Sequence, residues 1–271
     1  VVLWINIKLI SQPLYNQLRS SQRQHEIFRL VQKRGSCNIG DLARELQVSS
    51  ETIRRNVRLL SEEGLVVKTH GGVSLPIESE EPPIMNRMVR TVEEKKRIAD
   101  AVAAQIEDGD SLIIDTGSTT AFCAQALRNH SNLTIVTNSS YISNLLATRN
   151  GNRVFMTGGE LRSHDAAAFG PSVISFLSDF HTHKSILSIG AVHITKGCMN
   201  FELCEAEFSR AVIAHSEYVI LATDASKFSK NGIAKVCDLE EIDMLVTDQK
   251  PNSEMCKQLI AKNVKLTVAS Q

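Results

Sequence analysis

The sequence predicts an α/β protein built in two parts, and two observations carry the prediction. Near the N-terminus, two helical signals lie a tight three-residue connection apart and are followed by a hairpin signal, the pattern of a winged helix-turn-helix. Beyond Gly109, six short apolar runs alternate with helical ones, which implies a mostly parallel sheet sandwiched by helices. At 271 residues the chain is long enough to bury a core in each part.

Residues 1–22 are expected to be an unstructured extension; the apolar run Val1 to Ile10 carries Lys8, is too short to span a bilayer and lacks a small-residue cleavage site. The winged helix-turn-helix is then expected over residues 23–77. Ile27, Leu30 and Val31 give a helical face that ends at Gly35, a natural C-terminal breaker. Ile39 to Leu46 is a second short helix, joined through Gln47-Val48-Ser49 to a third. In that third helix Ile53, Val57 and Leu60 fall at i, i+4 and i+7 and form one apolar stripe, while Arg54, Arg55 and Arg58 project from the opposite side. Ser49 or Ser50 caps its start, Glu51 suits the positive end of its dipole, and Gly64 stops it. Leu65 to Leu75 reads as two short strands around a Gly-Gly turn.

A polyanion is the partner this first part suits. Lys and Arg outnumber Asp and Glu by 11 to 6 over residues 1–77, whereas residues 92–271 carry 17 against 21, so the formal neutrality of the whole chain conceals a basic N-terminal part. Double-stranded operator DNA is the expected ligand. Ser50, Thr52, Arg54, Arg55, Asn56 and Arg58 are expected in or beside the major groove, with Lys68 and His70 of the wing on the backbone or minor groove. Because one winged helix makes few contacts, a homo-oligomer reading repeated half-sites is expected. The six cysteines are scattered, with no C-x-x-C pair, and read as buried free thiols in a reducing cytosol rather than disulfides or a metal site. A cytoplasmic protein with no membrane role, no metal and no cofactor is expected.

Residues 78–91 turn acidic and proline-rich between Glu78 and Pro83 and are read as a linker to a domain over 92–271. Helical periodicity returns through Ile98, Val102 and Ile106. The expected strands are Leu112 to Ile114, Leu133 to Val136, Val154 to Met156, Ile186 to Ile189, Tyr218 to Leu221 and Met244 to Val246; helices are expected over Thr120 to Arg128, Tyr141 to Thr148, Glu205 to His215 and Ser253 to Lys262.

In a parallel sheet, ligands bind beyond the C-terminal strand ends, so the residues that follow the strands are the ones to read for chemistry. Here they are Asp115 to Thr120, Thr137-Asn138-Ser139, Thr157-Gly158-Gly159-Glu160, Gly190 and Asp224 to Lys227. Gly117 lets a ligand approach the backbone, and the amides and hydroxyls of Ser118, Thr119 and Thr120 at a helix start suit an anion. Lys227 offers a countercharge, Asp115, Asn138 and Glu205 can orient hydroxyls, and Gly158 and Gly159 leave room. Single turns of this kind also serve as ordinary capped connections; several at corresponding strand ends argue for a shared pocket. Neither a G-x-G-x-x-G nor a P-loop lysine motif is present, which argues against dinucleotides and NTPs.

Two sets of motifs resemble one family. Thr52-Ile53-Arg54-Arg55 followed by His70-Gly71-Gly72 is similar to the DNA-binding domain of the DeoR-type bacterial transcriptional repressors, which usually carry Asp where this chain has Asn56 and Leu where it has Val57. Asp115 to Thr120, Val136 to Ser139, Gly158 to Arg162 and Asp224 to Phe228 are similar to the sensor domain of the same family. The resemblance implies a fold like that of ribose-5-phosphate isomerase and a phosphorylated sugar or polyol as effector. Met199 to Glu205 departs from the Gly-Thr-Thr turn of many members, so the identity of the effector does not carry over.

Two functions compete. One is a repressor of a carbohydrate or polyol operon controlled by such an effector. The other is a sugar-phosphate isomerase or deaminase with an appended DNA-binding domain, in which Glu205, Glu207, Asp115 and Lys227 would move protons. Carboxylates and a lysine around an anion equally serve simple binding, which favours the repressor. A DNA-bound scaffold without effector is the plainest alternative.

Overall fold

The computed structural model describes residues 23–31, 34–62, 65–74 and 82–269. The extension over 1–22, Gly64 and the Glu78 to Glu81 part of the expected linker lie outside the described residues. The chain divides into two compact units, Val1–Pro82 and Pro83–Gln271.

In the first unit, residues 23–31 are helical (α1), and Gly35, at φ +76°, donates its amide to Val31 O at 2.8 Å. This is the αL cap that the glycine allows. Strand β1 (Ser36–Asn38) leads directly into α2 (Ile39–Glu45), whose first turn is capped by Asn38 Oδ1 accepting from Gly40 N at 2.8 Å. Gln47, at φ +52°, turns the chain into α3 (Ser50–Glu62), where Ser49 Oγ accepts from Thr52 N at 3.2 Å. The wing consists of β2 (Val67–Thr69) and β3 (Gly72–Ser74), with β1 on the far side of β3. Its turn is His70-Gly71 rather than Gly-Gly. Gly71 takes φ +78°, while Gly72 is already in β3, where a Cβ would lie 2.7 Å from Cys37 O of β1. Ile27, Val31, Leu42, Ile53, Val57, Leu60 and Val73 bury the apolar faces of these elements in one core.

The second unit begins with α4 (Ile84–Met88), a short helix inside the segment read as linker, and α5 (Val92–Ala103). There follow β4 (Ser111–Ile114), α6 (Ser118–Ala126), β5 (Thr134–Thr137), α7 (Ser140–Leu146), β6 (Arg153–Met156), α8 (Pro171–Leu177) and β7 (Thr182–Leu187). The chain continues through β8 (Ala191–His193), β9 (Gly197–Asn200), α9 (Leu203–Ala214), β10 (Ser216–Ala222), β11 (Ala234–Cys237), β12 (Met244–Thr247), α10 (Ser253–Ala261) and β13 (Lys265–Val268). Seven strands form one parallel sheet in the order β13-β12-β10-β7-β4-β5-β6, and β11-β9-β8 make a small antiparallel sheet. The period of two divides each central strand between two cores. Leu112, Ile114, Ile135, Ile186, Ile220 and Val246 face α5, α6 and α7, whereas Ile113, Val136, Leu187, Leu221 and Leu245 face α8, α9 and α10.

All six cysteines are free; Cys123, Cys198 and Cys237 are buried as expected, but Cys37, Cys204 and Cys256 are only half-buried. No helix among the described residues is long and apolar enough to cross a membrane.

Candidate functional sites

Helix α3 and the wing of the first unit present five cationic or polar-basic side chains beside one another. Ile53, Val57 and Leu60 turn α3 so that Arg54, Arg55 and Arg58 are exposed, and Lys68 and His70 are exposed on the wing beside it. Arg54, Arg55, Arg58, Lys68 and Gly71 line a depression of about 550 Å³ between helix and wing. Arg58 Nε meets Glu62 at 2.9 Å and Arg54 lies 3.6 Å from Glu51; solvent screens exposed pairs of this kind, and they yield to a phosphate. Ser50 and Thr52 are half-buried at the helix start, with Thr52 Oγ1 2.9 Å from Ser49 Oγ. Asn56 corrects the reading of the sequence. It is only 4% exposed and its Nδ2 donates to Thr52 O at 2.8 Å, because a position one before Val57 on α3 falls on the packed side. Its amide stays with its own helix instead of reaching a base.

In the second unit, order in space and order in sequence diverge at β4: the chain runs outward through β5 and β6 and then returns to β7 on the other side. That is the switch point of an open α/β sheet, where strand ends part and leave a crevice. The turn after β4 and the residue after β7 meet there. Ser188 N donates to Asp115 Oδ2 at 2.9 Å, and Gly117 passes so close that a Cβ on it would lie 2.1 Å from Ser188 Oγ. Gly117 is extended at φ 171°, so the need for glycine is steric contact and not backbone strain. Burial pushes the Asp115 carboxyl well above the ordinary carboxylate range, opposed by the hydrogen bonds from Ser188. Ser188 was missed because its run of apolar neighbours reads as strand; β7 ends one residue earlier, at Leu187.

The remaining effector-site residues divide into two groups. Ser118 and Thr119 open α6, each 5% exposed, where amides of the first turn are unclaimed by the helix. Gly158 has open space where a side chain would stand, Gly159 sits at φ +132°, and Lys227 is on the turn Ala225–Ser229 after β10, at the same sheet edge. Other side chains are committed within the protein, against expectation. Asn138 is fully buried, accepting from Thr116 N at 3.0 Å and donating to Ala168 O at 3.1 Å, while the Thr120 hydroxyl donates to Asp115 O and Gly117 O at 2.9 and 3.1 Å. Both hold loops together; neither side chain is spare for a ligand. Glu205 is paired with Arg162 Nη2 at 2.7 Å.

Arg162, in the sequence only one residue of the Gly158 to Arg162 motif, bonds three carboxylates at this edge. Besides Glu205 it binds Glu202 at 2.7 Å and Asp165 through Nε at 3.1 Å, and stacks 4.3 Å over the Phe169 ring. Burial disfavours its charge, and hydrogen bonds with Asp165 and Glu205 more than offset this, so its pKa is raised. Around the same edge, the hydroxyls of Thr116, Thr157, Thr223 and Thr247, at the ends of β4, β6, β10 and β12, are buried without a hydrogen-bond partner. Ser185, inside β7, is the one mid-strand hydroxyl in that condition among the described residues.

A basic winged helix followed by a parallel sheet with polar strand ends at its switch point is the architecture of a DNA-binding regulator carrying a ligand-sensing domain. The DeoR-like helix-turn-helix domain matches residues 23–78 and the DeoR C terminal sensor domain matches residues 90–249, and the chain belongs to the DeoR family of transcriptional regulators. It is 35% identical over 249 residues to the glycerol-3-phosphate regulon repressor of Escherichia coli (strain K12), covering 92% of this chain and 99% of that one. It is 32% identical to the HTH-type transcriptional repressor CsqR of the same organism, over 94% of this chain and 98% of the other. Among solved structures, the full-length sorbitol operon regulator SorC from Klebsiella pneumoniae aligns over 89% of this chain and 98% of its own at TM-score 0.40 and 12% identity, too slight a likeness to argue from.

Proposed function

We propose that this protein represses a carbohydrate or polyol catabolic operon in the cytoplasm, acts as a homo-oligomer, and is controlled by a phosphorylated sugar or polyol at the strand-end crevice. The observation that carries the effector reading is the switch point itself. A helix start with unclaimed amides, the Ser118 and Thr119 hydroxyls, and the orphaned Thr116 hydroxyl of the same turn suit a ligand that needs donors for a dianion and partners for its hydroxyls. Lys227 supplies the countercharge. DNA is held by Arg54, Arg55 and Arg58 in the major groove, flanked by Ser50 and Thr52, with Lys68 and His70 on the backbone or in the minor groove. The DNA-binding part occupies 23–77 and the sensor 92–271, and the 78–91 segment read as linker carries α4 of the second unit.

The reading excludes turnover. Glycerol 3-phosphate, ribose 5-phosphate and glucosamine 6-phosphate are expected to raise the melting midpoint without being consumed, and at least one to change operator affinity. In Thr119→Ala and Lys227→Ala that change is expected to disappear while effector-free DNA binding stays within about twofold of wild type, both residues belonging to the second unit and not to the winged helix. An undiminished response in both variants would place the effector elsewhere, and product formation would make the protein an enzyme.

A further inference from the structure

The loop over residues 162–168 touches three parts of the second unit at once. Towards the crevice, Ala168 N donates to Asn138 O at 3.0 Å and Ala168 O accepts from Asn138 Nδ2, whose Oδ1 receives Thr116 N of the Asp115–Thr120 turn. Towards the start of α9, Arg162 is clasped by Glu202 and Glu205, and His164 Nε2 lies 3.8 Å from the same Glu202. Towards the N-terminus of the unit, His164 O accepts the amide of Ile84, the first residue of α4, at 3.1 Å. The other end of α4 is fixed from below: the buried Lys95 donates to Arg87 O at 2.6 Å and to Arg90 O at 2.9 Å. Helix α4 stands where the chain arriving from the DNA-binding unit enters the sensor. It is thus anchored at its C-terminal end to α5 and tied at its first residue to the loop by the bond between the Ile84 amide and His164 O.

The loop is also poised to change. Ala166 sits at φ +52°, a left-handed conformation that a residue with a side chain seldom adopts unless its surroundings hold it there. Arg162 faces three carboxylates, Asp165, Glu202 and Glu205, a formal excess of two negative charges. A phosphate dianion arriving at this edge is repelled by that excess unless the guanidinium turns towards it. Effector and glutamates therefore compete for one cation.

Resting on the effector reading above, we propose that the 162–168 loop is the coupling element of the sensor: an anionic effector draws Arg162 from Glu202 and Glu205, and the displaced loop is read by α4 through the bond between His164 O and the Ile84 amide. Arg162 is a positioning residue in this scheme and Ile84 N–H the transmitter. A ligand shifts an equilibrium only through contacts that differ between two states, and the exchange of partners at Arg162 supplies that difference.

Ile84 gives a sharp test, since it is the first position of a helix, where proline is tolerated, and Pro83 before it is already extended at ψ 144°. Ile84→Pro removes the amide proton and leaves the helix; Ile84→Ala keeps the proton and removes the side chain. Full-length wild type and both variants are titrated with glycerol 3-phosphate, ribose 5-phosphate and glucosamine 6-phosphate, reading effector affinity by calorimetry and operator affinity on a duplex selected by the wild type from a random pool. Wild type and Ile84→Ala are expected to change operator affinity by about tenfold or more at saturating effector, and Ile84→Pro by less than about twofold with effector affinity kept within about threefold. Hydrogen exchange on the wild type is a second measure, in which effector is expected to speed exchange in the segment spanning Ile84 to Arg90. An effector response equal in Ile84→Pro and wild type, or unchanged exchange in that segment while DNA affinity responds, overturns the coupling and leaves the effector reading standing. A wild type that binds none of the three compounds overturns both.

Discussion

Gly117 shows how one missing methyl holds a site together. Its backbone dihedral suits any residue, so the sequence alone suggests a glycine that makes room for a ligand, whereas the space beside it is taken by Ser188 Oγ, 2.1 Å from where a Cβ would stand. Gly117→Ala is expected to destabilise the sensor by about 1–3 kcal/mol through overpacking, and Ser188→Gly in the same chain to restore most of the loss. Denaturation midpoints of the single and double variants check this; additive losses would contradict it. Asp115, next to that contact, makes a prediction with a sign. Its pKa in the fold is raised chiefly by burial, so the native state holds more protons than the unfolded chain, and its contribution is fully present below the ordinary Asp value of about 4 and is lost as pH rises through the folded value. Asp115→Asn, which keeps an acceptor for Ser188 N, is expected to melt higher than wild type near pH ~7.5 and to lose that advantage near pH ~4. Thermal melts at the two pH values decide it. An advantage equal at both would mean that the carboxylate is not the strained group.

Elements were legible where a period ran long enough to be read. The stripe of Ile53, Val57 and Leu60 located α3, and six apolar runs located β4, β5, β6, β7, β10 and β12, of which β6 is the partly exposed edge strand. What escaped is short or lacks alternation: β1 has three residues, β8 and β9 three and four with every position but His193 buried, and α8 shows one turn of apolar spacing after Pro171. For the candidate sites, backbone features such as Gly117 and the first turn of α6 could be placed from strand ends, but the hydrogen bonds that commit Asn138 join segments 22 and 30 residues apart and leave no local signature, while Thr120 is committed within its own turn, to Asp115 O and Gly117 O. The outward face of α3 and the wing carry different jobs, and operator binding should separate them. Arg55→Ala is expected to lower operator affinity by about 1–3 kcal/mol and relax discrimination between operator variants. Lys68→Ala is expected to weaken all duplexes alike and to reduce the slope of log affinity against log salt by about 1. A mobility-shift series over several salt concentrations and operator variants distinguishes the two, and an Arg55→Ala protein with wild-type affinity would remove α3 from the groove.

At the scale of the whole molecule, the recognition surface is small for the task expected of it. One α3 offers three exposed arginines, and the wing adds Lys68 and His70, so a single copy reaches only a few base pairs and a few phosphates. Selective binding in the presence of a genome of competing sites needs more, and the general solution is a symmetric oligomer whose copies read repeated half-sites. Wild-type protein is therefore expected to sediment as a dimer or a larger symmetric assembly at micromolar concentration, and duplexes selected from a random pool to carry two copies of one half-site, in direct or inverted repeat, spaced by about 10 base pairs or a multiple of it. Inserting about 5 base pairs between the half-sites puts them on opposite faces of the duplex and is expected to cost most of the selective affinity, while a full turn of insertion costs less. Sedimentation as a monomer at every working concentration, together with full affinity for a single half-site, would show that one winged helix suffices and would leave the effector to act on each chain alone.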